Sequence, residues 1–285
     1  MNAPIVAGGG GDPAPPQTVV PLRHPWTWLA SGVVVGIAGL VLFSVATNPG
    51  FEWPVVAQYM FDEQILIGLS RTLELTLVAM LMGLVLGTLL AVMRLSPNPL
   101  LSTLSWLYIW FFRSVPVLVQ LIFWYNFGAL YATISLGIPF GPTLYSASTN
   151  ALITPMFAAL AGLGLAQAAY TAEVIRAGIV SVPHGQTRAA RALGMQPMTI
   201  FRRIVLPQAM RVIIPPVGNE VISMVKSTSL VSVIALSELL YTAQLIYART
   251  YETIPLLIVA SLWYLIIVSV LSVGQHVLER KFRQR

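Results

Sequence analysis

Residues 73–93 read LELTLVAMLMGLVLGTLLAVM, a run whose single charge is Glu74. A helix of about 20 residues spans about 30 Å, the thickness of a bilayer's hydrocarbon core. Gly83, Gly87 and Ala91 recur every four positions, so they share one helical face. In lipid, close packing through small residues is what holds helices together. The stretch predicts a spanning helix pressed against a neighbour.

Working outward, five more runs pass the same length test: 28–47, 104–127, 152–172, 212–237 and 255–276. They are continuous rather than alternating, which excludes a transmembrane β-barrel. Hydrocarbon offers backbone N–H and C=O groups no partner, so each run must satisfy itself as a helix. The predicted class is all-α, a polytopic membrane helix bundle with about six transmembrane helices. Composition agrees, with 56% hydrophobic and 9% charged residues in 285, against roughly 25% charged in soluble domains. The absence of cysteine excludes disulfides and thiolate metal sites. Residues 1–25 are rich in Gly and Pro and read as a disordered cytoplasmic tail. The run at 28–47 outlasts the apolar core of a signal peptide, about 7–15 residues, and reads as a retained helix. Further small-residue stripes, Ala158/Gly162/Ala166 and Gly32/Gly36, support packing without identifying a function.

Orientation follows from Lys and Arg. With the N-terminus inside, the inner segments hold Arg23, Arg94, Arg176, Arg188, Arg191, Arg202, Arg203, Arg211, Arg280, Lys281, Arg283 and Arg285. The outer loops then hold Arg71 and Arg249, and Arg113 and Lys226 fall inside spans. Both termini are therefore expected in the cytoplasm, and the uncharged stretch 128–150 fits an outer loop. The net charge of +6 sits mainly at the ends of apolar runs, which favours a membrane surface over nucleic acid.

The longest inner segment, Glu173 to Arg211, reads EVIRAGIVSVPHGQTRAARALGMQPMTIFRRIVLPQAMR. Pro183 and Gly185 punctuate its start, a short helix can run from Gln186 to Leu193, and Gly194 can stop it. Pro197 opens a second turn and Pro207 closes the segment. Ala189, Ala190 and Ala192 give it a small face, and Arg188, Arg191, Arg202 and Arg203 a cationic one. By pattern alone it could equally be an amphipathic helix lying on anionic lipid.

These residues also resemble the cytoplasmic Glu-Ala-Ala loop of ABC importer permeases. Arg188-Ala189-Ala190, then Gly194, then Ile204-x-Leu206-Pro207 match its spacing, with Arg188 in place of the leading Glu. AAYTAEVIRAGIVSVPHGQ (168–186), RTLELTL (71–77), FFRSVPVLVQ (111–120) and KSTSLVSVI (226–234) resemble the polar amino-acid branch, similar to histidine and glutamine permeases. The similarity runs over about 65–282. It implies a type I importer permease fold, a five-helix core plus an added N-terminal helix. On that basis 1–25 is the tail, 26–64 the added helix and outer linker, and 65–282 the permease domain with a coupling loop at 174–211.

The resemblance further implies that Gly185, Gln186, Arg188, Ala189, Ala190, Leu193 and Gly194 seat against an ATPase subunit. The chain has no G-x-x-x-x-G-K-[ST] loop, so ATP and Mg would be bound by that separate partner and no cofactor by this chain. The expected partners are a dimer of ABC ATPase subunits, a second permease subunit (self or homologue) and an extracytoplasmic substrate-binding protein. The expected location is the bacterial inner membrane. The expected cargo is a polar amino acid.

Polar residues inside apolar runs usually face a cavity or a partner. Arg113 could hold a substrate carboxylate, pair with Glu74, or snorkel to the interface. Glu74 could meet a substrate amine, or be stabilised near a helix N-terminus. Gln120 could line the same cavity or bond another helix. The run 212–237 carries Pro215 and Pro216, then Asn219, Glu220, Lys226, Ser227, Thr228 and Ser229. It resembles the broken helices that line transport paths, with Lys226 expected on a backbone carbonyl or another helix. His24, His184 and His276 lack metal-ligand spacing, and no catalytic constellation appears. A stand-alone channel or secondary transporter would need its whole path in one chain, often with an internal repeat. The halves show none that convinces. An intramembrane enzyme would need the catalytic cluster that is missing.

Overall fold

The computed structural model describes residues 25–137 and 143–283. They divide into two units, the boundary falling between Phe51 and Glu52. The stretch read as a disordered tail lies, through residue 24, outside the described residues. In the first unit, α1 runs Pro25–Thr47 and a 3₁₀ turn follows at Pro49–Phe51. The apolar length of α1 suffices to cross a membrane. Added Cβ atoms at Gly32 and Gly36 would meet open space.

The second unit begins with α2 (Trp53–Tyr59) and α3 (Glu63–Arg94). Residues 52–64, expected as an outer linker, instead belong to this unit. Val56 is buried in a core with Ile65, Leu239, Leu256 and Val259, and Trp263 Nε1 donates to the Met60 carbonyl at 2.8 Å. Asp62 caps α3 through a bond from the Gln64 N–H, so the helix starts ten residues before the run that the apolar pattern marked.

The third run is two helices, α4 (Pro99–Ser114) and α5 (Val117–Tyr125), bent by 99°. Pro116 cannot continue a helix, and Val115 before it is forced extended. After α5 comes a feature that the pattern of apolar runs did not predict. Strands β1 (Thr133–Gly137) and β2 (Thr143–Ser148) pair antiparallel, Thr133 opposite Ser148 and Leu136 opposite Tyr145. The alternation in TISL and TLYSAS carries that signal in hindsight. A single turn, α6 (Thr149–Leu152), leads into α7 (Pro155–Val180).

The central helix is α7. Gly83 and Gly87 of α3 let Gln167 and Thr171 of α7 lie against its backbone. Gly162 of α7 admits Leu121 of α5. The stripes of α3 and α7 are thus used against different neighbours. Beyond α7 lie α8 (His184–Ala192), α9 (Pro197–Ile200), a π turn (Phe201–Val205) and α10 (Leu206–Ser227). Because α7 continues to Val180, the folded segment expected from 174 begins near Ser181: nothing breaks the helix before Pro183. Pro215 and Pro216 sit inside α10, which continues past them to Ser227, and Gln275 donates to the Pro215 carbonyl at 2.8 Å where Gly218 leaves room for that amide. The break comes later. A 3₁₀ stretch, Thr228–Ile234, ends at Ala235 in the left-handed region, and α11 (Leu239–Thr250) leaves at 45°. The chain closes with α12 (Thr253–Arg283). Counting each bent pair as one span gives up to six.

Candidate functional site

Between α5, α7 and α10 lies a cavity of about 310 Å³, lined in part by Leu163, Gln167, Tyr170, Glu220, Ser223 and Ser227. Gly83 and Gly87 bring α3 close enough to fix Gln167, whose Nε2 donates to Thr171 at 3.1 Å and lies 3.5 Å from Glu220 Oε2. Among the described residues, Glu220 makes no ion pair: the pairs are Arg71–Glu74 and Arg176–Glu173. A carboxylate with one weak amide contact, among hydroxyls, is equipped to receive a cation. Tyr170 is shared, since the Arg113 guanidinium stacks over its ring at 5.4 Å.

The predicted path residues divide. Ser227 lines the cavity and Arg113 reaches its edge through Tyr170. Glu74 is exposed and bonds Arg71 at 3.2 Å, so it is neither the partner of Arg113 nor at a helix N-terminus. Gln120 is buried, and its Nε2 donates to the carbonyls of Phe112 and Val115 at 3.1 and 2.9 Å. It mends the break at Pro116. Thr228 is fully buried and donates to the Val225 carbonyl at 2.6 Å, while Ser229 donates to the Lys226 carbonyl at 2.7 Å. Lys226 is exposed and does not line the cavity. Gln167, Tyr170 and Ser223 were missed. They are ordinary residues in sequence, and only the packing of α7 on α10 gathers them.

The segment from Ser181 to Val205 forms a folded elbow. α8 closes in a Schellman turn: Gly194 has φ +75°, its N–H donates to the Arg191 carbonyl at 2.9 Å, and the Met195 N–H donates to Ala190 at 3.1 Å. Ala190 is buried, whereas Gly185, Arg188 and Ala189 are exposed and Leu193 is 82% exposed. A leucine this exposed on a short polar helix leaves an apolar contact unmade within the chain. Gln208 Nε2 donates to Gln186 Oε1 at 2.6 Å, tying α8 to α10. Pro207 lacks the N–H that an α-turn would need there. The preceding turn widens, with the Leu206 N–H reaching the Phe201 carbonyl. Behind it, Gly178 of α7 admits Ile213 of α10, so that α10 is held against α7 below the cavity.

Residues 83–284 match the family of binding-protein-dependent transport system inner membrane components. The chain is 44% identical to an arginine transport system permease protein of Corynebacterium glutamicum, over 97% of this chain and 87% of that one. It is 40% identical to a nopaline transport system permease protein of Agrobacterium fabrum, over 73% and 83%. A crystal structure of an amino acid ABC transporter with histidines superposes with a TM-score of 0.67 at 32% identity, covering 79% of this chain and 97% of that one.

Proposed function

The chain belongs to the binding-protein-dependent transport system inner membrane components, and from that premise we propose that it carries a cationic amino acid or a guanidino derivative of one. It is the permease subunit of an ABC importer, and ATP hydrolysis resides in a partner. The observation that supports the cargo is Glu220, a cavity carboxylate without an ion pair among the described residues, and the elbow is tied to that cavity. The elbow with exposed Leu193 is bonded through Gln186–Gln208 to α10, and α10 supplies Glu220, Ser223 and Ser227 to the cavity.

On this reading Gly185, Arg188, Ala189 and Leu193 form the surface that seats on the ATPase. Gly194 gives the turn its shape, and Ala190 anchors α8 to the rest of the chain. ATP-driven closure of the ATPase pair pushes α8, and α10 transmits the displacement to the cavity wall. Glu220 faces the cation of the solute, in keeping with arginine and nopaline as the named cargoes of two relatives. Arg113 on Tyr170 stands where the solute carboxylate can be steered. A second copy or a close homologue closes the path, a secreted binding protein delivers the solute, and both termini lie in the cytoplasm, a placement that the Lys and Arg distribution supports.

The test is uptake in vesicles holding the chain with its ATPase and binding protein. ATP-dependent arginine uptake is expected, and Glu220→Gln should cut it at least about tenfold while uptake of a neutral amino acid, if present, changes little. Leu193→Asp should abolish co-purification of the ATPase. Arginine uptake unaffected by Glu220→Gln would overturn the cargo reading. Normal ATPase capture by Leu193→Asp would overturn the docking surface.

A further inference from the structure

Glu238 is fully buried in apolar surroundings, and neither the cavity nor the elbow uses it. Its carboxylate accepts from four donors on three elements. The N–H groups of Leu240 and Tyr241 at the start of α11 donate at 3.0 and 2.8 Å. Tyr264 of α12 donates its hydroxyl at 2.8 Å, and the Thr72 hydroxyl of α3 lies 3.3 Å away, sharing its one proton between Glu238 and the Gly68 carbonyl at 3.2 Å. Thr72 Oγ also accepts from the Leu239 N–H at 3.2 Å. Gly68, one turn before Thr72, permits this approach, because a Cβ there would lie 2.7 Å from Thr242 Oγ and 3.1 Å from the Glu238 carbonyl.

An N-cap alone does not need this residue. Ser, Thr, Asn or Asp caps a helix, and a neutral cap avoids burying a charge, which costs several kcal/mol per ion. What the longer carboxylate adds is simultaneous reach to α3 and α12. It does so three residues after Ala235, where the span breaks. The segment before the break packs Val231 and Ile234 in one core with Leu75, Leu163 and Met224, and the last two line the cavity. The segment after it packs Leu239, Ala243 and Ile246 against α3 and α12. Hinging at 235–238 would therefore slide the cavity wall against the rest of the bundle.

We propose that Glu238 is a positioning residue: it pins the 45° break to α3 and α12, so that cavity wall and bundle move as one body when ATP acts on the elbow. The inference rests on the transport reading, but its first readout does not require transport.

The chain has no cysteine, so Val233→Cys and Leu245→Cys, both exposed and flanking the break, can carry spin labels in the assembled complex. A narrow distance distribution, the same with and without ATP, is expected. Glu238→Ala should broaden it and lower solute moved per ATP hydrolysed at least about tenfold. Glu238→Gln, which keeps the acceptor for the helix N–H groups, should restore most of both. Two milder variants, Tyr264→Phe and Thr72→Val, each cut one tie and should broaden the distribution even if Glu238→Ala fails to assemble. A narrow distribution in these two variants would overturn the proposal. So would parallel loss of uptake and ATP hydrolysis, in step with the amount of complex assembled. A broadened distribution in a complex that moves no arginine would keep the pin and fault the cargo reading.

Discussion

The break between α4 and α5 turns the chain by 99° and is mended within its own span, whereas the break before α11 turns it by 45° and is mended by three elements. At the first, Pro116 removes an N–H and Gln120 donates its amide to the orphaned carbonyls of Phe112 and Val115, both within eight residues. At the second, no proline intervenes. Ala235 takes a left-handed conformation, and Glu238 gathers donors from α11, α12 and α3. The larger bend is the more local one. A break mended locally is a fixed shape, while one mended by neighbours can transmit their displacement or be displaced by them.

The contrast can be broken experimentally, and the largest effect should come at the second site. Glu238→Ala leaves two helix N–H groups and the Tyr264 hydroxyl without their acceptor, and each such loss costs about 1–3 kcal/mol. A total of about 3–9 kcal/mol is expected in detergent unfolding followed by circular dichroism. Gln120→Ala should cost less, about 2–6 kcal/mol, because it leaves two carbonyls of one span unpaired rather than three donors. It should also leave solute moved per ATP unchanged. Equal costs at the two sites, or a loss of coupling from Gln120→Ala, would erase the distinction between local and shared mending.

Smaller changes sharpen it. Ala235→Gly relieves a left-handed conformation that costs a non-glycine residue about 1–2 kcal/mol, partly offset by the added freedom of the unfolded chain. A net gain of about 0.5–1 kcal/mol is expected, read as a raised melting temperature. If the melting temperature falls instead, the left-handed turn is not a source of strain. The smallest effect belongs to Glu252, in the turn that ends α11. A hydrogen bond with Glu52 is the main cause that holds its carboxyl above the usual range, with some desolvation and the charge of Glu52 adding to it. A raised carboxyl binds its proton more tightly in the folded chain. Its contribution is therefore present below the ordinary value of 4.5 and lost as pH rises through the raised one. Glu252→Gln should flatten that part of the stability profile, and an unchanged profile would dismiss the carboxyl pair.

The two breaks also differ in how far the sequence exposes them. Pro116, beside Arg113 in an apolar run, announces the first. The run 212–237 was expected to be a broken helix, but α10 runs through Pro215 and Pro216, and the break comes at Ala235, an unremarkable residue in sequence. Glu238 is a lone acid in an apolar stretch just before a helix, and that signal was available but unused. Glu220 stood out as a charge within a span. Gln167 and Tyr170 did not, because their role depends on which face of α7 meets α10. The elbow was the most legible part, since Pro183, Gly194, Pro197 and Pro207 mark its turns in the order in which they occur.

The wide turn at Phe201–Val205 sets the phase of everything joined to it. Along a helix, one residue amounts to about 100° of rotation and 1.5 Å of advance. Deleting a single residue there would return the turn to ordinary pitch and unscrew the elbow by that angle. Leu193 would then point to a different quarter of the compass while the cavity wall stayed where it was. The number of residues in this stretch, more than their identity, decides whether a push from below arrives on the correct side.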